Sequence, residues 1–66
     1  MKLTVNGNLE NHENIRTAID LLSTLGVLRE RVAVMVNGDV IRRADLETTR
    51  LHDGDAVEVI TMVGGG

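Results

Sequence analysis

Met1, Leu3 and Val5 alternate with Lys2, Thr4 and Asn6, the period of two that predicts a strand with one buried face. Asn6-Gly7 follows, the dipeptide that best accepts the positive φ angles of a two-residue hairpin turn. The chain is therefore expected to return antiparallel through Asn8 to about His12, with Leu9 facing inward. Ile15, Ala18, Ile19, Leu22 and Leu25 then recur at the three-and-four spacing of one helix face. Asn14 is the expected N-cap, with Glu13 near the positive end of the helix dipole. Gly26 stands where a left-handed C-terminal residue is needed. Val32, Val34 and Val36 alternate with Ala33, Met35 and Asn37, and Asn37-Gly38 repeats the hairpin signal before Val40-Ile41 begin a returning strand. Within residues 44–51, Leu46 and Leu51 predict a short anchored helical turn. Asp53-Gly54-Asp55 marks a turn, and Ala56 to Val63 read as the last strand.

A helix with one apolar stripe needs one sheet face to cover, which makes an α+β two-layer domain. Leu3/Val5 and Val57/Val59 are the most core-like strand positions. Placed side by side as a central parallel pair, with a hairpin outside each, they give a ubiquitin-like β-grasp arrangement. The expected architecture is a mixed sheet of four to five strands packed on one helix, in the order ββαβββ, with a meandering sheet as the alternative. Residues 1–63 are expected to form the domain and 64–66 a flexible Gly-Gly-Gly tail.

Composition narrows the function classes. With 66 residues there is room for one small domain, and a pocket of a few hundred Å³ would consume much of its core. An enzyme with its own deep site is therefore not expected. Seven Lys+Arg against ten Asp+Glu leave a net charge of −3, which argues against nucleic acid as a partner. Phe, Tyr and Trp are absent, so no aromatic platform can stack bases or sugars. Without cysteine there is no disulfide, thiolate metal site or thiol nucleophile, and the chain cannot supply sulfur itself. No apolar run approaches the ~20 residues of a membrane helix, and no signal peptide is legible. A cytoplasmic domain, associated with no membrane, is the expectation. His12 and His52 are two isolated imidazoles without a carboxylate pattern, expected at the surface, and Asp53-Gly54-Asp55 lacks the ligand series of a calcium loop. No metal site is expected.

The residues that point to chemistry are Gly64, Gly65 and Gly66. At the usual glycine frequency of ~7%, three in a row at one chosen place arise about 3 times in 10,000. A frayed end is the plain reading. The chemical reading starts from glycine having no Cβ, so that a Gly-Gly-carboxylate end can thread a narrow channel. A carboxylate is a poor acyl donor, but attack on the α-phosphate of ATP would make it an acyl-adenylate. A thiolate or persulfide could then displace AMP. Gly66 would react, Gly65 would provide clearance, and Gly64 would act as a hinge. All three would thus thread or react within a partner.

Three segments carry a family resemblance: V-A-V-M-V-N-G-D-V-I-R-R (32–43), L-H-D-G-D-A-V-E-V-I (51–60) and V-G-G-G (63–66). On these, over almost the whole chain, the sequence resembles the ThiS-type sulfur carriers of thiamine biosynthesis. The resemblance implies adenylation of Gly66 by a ThiF-like, ATP-dependent enzyme and conversion to a thiocarboxylate with sulfur from a persulfide-carrying donor protein. A ThiG-like thiazole synthase would then take the sulfur. The chain itself would be a carrier and cosubstrate, not an enzyme, and would bind no cofactor, since ATP is used by the activating enzyme. Arg43 matches an arginine that follows the fourth strand in the family, whereas Arg42 stands where proline is common and no aromatic occurs near Leu46. The small subunit of molybdopterin synthase shares the D-G-D turn and terminal glycines, but is usually longer and commonly has a Pro-Pro pair before its tail. The absence of proline here favours the thiamine reading. Alternatives are a carrier of that second kind, a ubiquitin-like protein modifier, or an interaction module with inert glycines.

Strand alternation adds a surface. If Val57 and Val59 face inward, Glu58, Ile60 and Met62 face out; if Val34 and Val36 face inward, so do Ala33 and Met35 face out. Met35 is then expected to align with Ile60 and Met62 at the root of the tail, forming with Arg43 a partner-docking surface. A second small core or a homodimer contact is the competing reading. Arg42, Arg43 and Arg50 could meet an acidic partner, although solvated charge beside Asp39, Asp45 and Glu47 explains them more simply.

Overall fold

The computed structural model describes residues 1–62. The glycines Gly64, Gly65 and Gly66, together with Val63, lie outside the described residues. Five strands, β1 (Lys2–Val5), β2 (Asn8–Asn11), β3 (Val32–Val36), β4 (Asp39–Ile41) and β5 (Ala56–Thr61), form one sheet, and α1 (Ala18–Leu25) packs on it. The sheet order is β2-β1-β5-β3-β4. β1 and β5 run parallel at its centre, and the two hairpins flank them, as the β-grasp reading requires. Short 3₁₀ turns occupy Arg29–Arg31 and Arg43–Asp45.

The core is wholly aliphatic. Leu3, Val5, Val32, Val34, Val36, Val57 and Val59 from the sheet meet Ala18, Leu21 and Leu22 from α1, with Ile15, Leu46 and Leu51 closing the ends. No polar or charged residue is buried among the described residues. Both Asn-Gly turns form with positive φ at all four residues. Gly26 ends α1 at φ 74° and donates its N–H to the Ser23 carbonyl at 3.1 Å.

Three expectations are corrected. Leu9 points out, 72% exposed, because the two-residue turn pairs Val5 with Asn8 and Thr4 with Leu9. Directly paired residues share a face, so Leu9 lies with outward Thr4 and not with inward Leu3 and Val5. The helix begins at Ala18, not after Asn14. Asn14 sits at φ 62°, and residues 16–17 are held in an extended bridge: Ala18 N–H donates to the Thr49 carbonyl, and Leu51 N–H to the Arg16 carbonyl, each at 2.9 Å. With that backbone engaged, Thr17 becomes the N-cap, and Asp20 accepts hydrogen bonds from the backbone N–H groups of Thr17 and Arg16 at 3.0 Å. The buried face of α1 is consequently Ala18, Leu21 and Leu22, while Ile19 and Leu25 are half-buried. Finally, His12 is not a surface imidazole. Its side chain is 13% exposed and contacts Glu10 at 2.7 Å.

Candidate functional site

The last strand is gripped from both sides by turn residues. Asn37 accepts from Ala56 N–H at 2.9 Å, donates its side-chain amide to Asp55 at 2.9 Å, and gives its own backbone N–H to the Ala56 carbonyl at 2.7 Å. Three residues along, Asn6 accepts from Val59 N–H at 2.8 Å and donates its side-chain amide to the Val59 carbonyl at 3.2 Å. An asparagine side chain presents an acceptor and a donor in the geometry of a peptide group, so Asn6 continues the β1–β5 ladder after β1 has turned away. Beyond Val59 only β3 accompanies β5, and Met62 N–H donates to the Arg31 carbonyl at 2.8 Å. Met62, the last described residue, is thereby held at a corner of the sheet.

The face opposite α1 carries the apolar residues expected there. β5 presents Ala56, Glu58, Ile60 and Met62, and β3 presents Ala33 and Met35. The register differs from the expected alignment. Met35 pairs directly with Glu58, Ile60 pairs with Ala33, and Met62 lies one step further toward the corner. Met35 and Ile60 are therefore diagonal neighbours, still in reach of long side chains. Ile60 is 50% and Met62 44% exposed, Met35 half-buried. The structure adds Val40 of β4, 71% exposed, which pairs directly with Met35 of β3. Its position follows from the second Asn-Gly turn, which sets Val36 opposite Asp39 and Met35 opposite Val40.

Arg43 does not join this face through the register. It lies exposed on the 3₁₀ turn after β4. Arg42, Arg43 and Arg50 make no ion pair among the described residues, where Arg29–Glu47 at 2.8 Å is the arginine pair that forms. On the helix side of the same corner, Gly26, Val27, Leu28, Arg31, Val32 and Thr61 line an open groove of about 310 Å³. Arg31 is its one charged residue. His52 lies 3.8 Å from Asp55, and His12 beside Glu10. Among the described residues no group of three or more His, Asp or Glu could hold a metal ion, and no helix is long and apolar enough to cross a membrane.

The model of the ThiS family matches residues 3–66. Among curated proteins, the thiazole synthase of Paramagnetospirillum magneticum is 35% identical over 66 residues, which is all of this chain and 20% of that protein. The thiazole synthase of Magnetococcus marinus is 38% identical over the same span and again 20% of the relative. The chain thus spans about a fifth of the length of these synthases. The ycf40 protein of Porphyra purpurea is 32% identical over 66 residues, covering 93% of that protein. Among solved structures, the thiamine biosynthesis protein (ThiS) of Geobacter metallireducens is 40% identical and superposes with a TM-score of 0.84, each chain covered completely.

Proposed function

The chain belongs to the ThiS family, and from that membership we propose that it is a sulfur carrier of thiamine biosynthesis whose Gly66 carboxylate holds the sulfur. In the first step a carboxylate oxygen of Gly66 attacks the α-phosphorus of ATP bound by a ThiF-like enzyme, and pyrophosphate leaves. The terminal sulfur of a persulfide on a donor protein then attacks the acyl carbon and AMP leaves, giving an acyl disulfide. A second thiol attacks the donor-side sulfur, forms a disulfide with it and releases the thiocarboxylate, which is the delivered species. The carrier acts as a consumed and recharged cosubstrate. It binds no cofactor of its own and works in the cytoplasm, with ATP held by its partner.

The observation that carries this reading is that the family match runs through the three glycines to Gly66. Two thiazole synthases containing a segment similar to this whole chain support thiazole formation as the destination of the sulfur. Gly64 and Gly65 serve as the narrow lead into the partner's nucleotide site, where a Cβ would need extra room. Met35, Val40, Ile60 and Met62 form the face that docks first on the adenylating enzyme and then on the synthase. Arg43 remains a candidate contact on the strength of the family motif. The test is ATP–pyrophosphate exchange by a purified ThiF-like enzyme. The full chain should stimulate exchange, and a chain lacking Gly65 and Gly66 should not. Equal stimulation by both would remove the glycine end from the chemistry.

A further inference from the structure

Apart from Lys2 at its far end, the outward face of the sheet has one charged side chain among the described residues, Glu58. It sits within the apolar group. Met35 is directly across on β3 with Val40 beyond it, and Ala56 and Ile60 flank it along β5. No hydrogen bond or ion pair engages its carboxylate among the described residues. In water an exposed carboxylate is well hydrated and costs nothing. Covered by a partner, it would lose that hydration without compensation unless a cation met it. A wholly apolar partner face is therefore a poor match. A second copy is also a poor match, because a two-fold contact apposes the same patch on both molecules and brings two Glu58 carboxylates together.

We propose that Glu58 is the orienting charge of this face, received by an arginine or lysine set at the centre of an otherwise apolar face on the adenylating enzyme. The proposal rests on the docking role given above and adds its specificity. Aliphatic side chains repeating along β5 would tolerate a two-residue slip of about 6–7 Å, whereas a single buried charge pair fixes one register and rejects partners lacking the cation.

The test titrates a purified ThiF-like enzyme with the wild-type chain and with Glu58→Gln, Glu58→Lys and Ile60→Asp, each checked for an unchanged thermal unfolding curve. Glu58→Gln should bind about tenfold more weakly and Glu58→Lys at least about a hundredfold more weakly, as expected for losing or reversing a close interfacial charge pair. In pyrophosphate exchange the KM for the Gln variant should rise while kcat holds. Raising salt should weaken the wild type and leave the Gln variant nearly unaffected. If Ile60→Asp loses binding while both Glu58 variants bind like the wild type, the orienting role is overturned and the docking face stands. If Ile60→Asp also binds normally, the docking reading itself fails. If Glu58→Gln self-associates with unchanged enzyme affinity, Glu58 serves to keep copies apart and the proposal is overturned.

Discussion

Asn6 and Asn37 each hold a left-handed turn conformation and, with the same side chain, a stretch of β5. The two tasks can be separated. Asn6→Gly keeps the positive φ but removes both bonds to Val59, so urea unfolding should show a loss of about 1–3 kcal/mol, the net worth of two hydrogen bonds. Unchanged stability would mean that the turn alone explains the residue. Asn-Gly is legible as a turn in any sequence; the grip on β5 is not, because it depends on the last strand lying between the two turns. Asp20 is a second residue with a local task. Hydrogen bonds from the backbone N–H groups of Thr17 and Arg16 hold its carboxyl below the ordinary value of 3.8. A carboxyl lowered on folding contributes stability in full above its unfolded value and loses that contribution as pH falls through its folded one. Acid titration of the melting temperature should therefore show a decline below about pH 4 that Asp20→Asn makes shallower. An identical acid limb in both proteins would contradict the capping role.

Among the elements, α1 is the most dependent on its neighbours. Eight residues are too few to be helical alone in water, so its stability comes from burying Ala18, Leu21 and Leu22. Leu21→Ala should cost about 2–5 kcal/mol, measured by denaturant unfolding; a loss under about 1 kcal/mol would show that the helix is held elsewhere. Leu21 escapes the apolar stripe that begins at Ile15, because Ile15 is buried from the loop and the helical phase starts afresh at Thr17. That shift comes from the bridge between Thr17 and Arg50, a contact 33 residues apart along the chain. Leu9 is different: a two-residue turn at Asn6-Gly7 already implies Thr4 opposite Leu9 and so an outward leucine. Turn register, not side-chain type, decides which face Leu9 takes. The same arithmetic at Asn37-Gly38 places Val40 beside Met35 on the face proposed for docking. On β5, Ile60→Asp should leave unfolding nearly unchanged, since the side chain is half exposed, yet abolish stimulation of pyrophosphate exchange.

At the scale of the whole fold, one helix covers one side of a five-stranded sheet, and the other side presents Ala33, Met35, Val40, Ile60 and Met62 around a single carboxylate among the described residues, next to the corner held by Met62. The order of elements and the central parallel pair were readable from alternation and turns, because a single apolar stripe leaves few two-layer solutions. The pairing of Met35 with Glu58 rather than Ile60 was not readable, because the strand-to-strand offset of β3 and β5 is set by contacts far apart in sequence. The proposed chemistry is concentrated at one atom pair, the Gly66 carboxylate. The most direct measurement is the intact mass of the chain, with fragmentation, after incubation with ATP, a ThiF-like enzyme and a persulfide donor. Exchange of one oxygen for sulfur, confined to Gly66, is the predicted result. An unaltered mass under conditions where that enzyme activates its own carrier, or conjugates joined through a lysine amide, would contradict it.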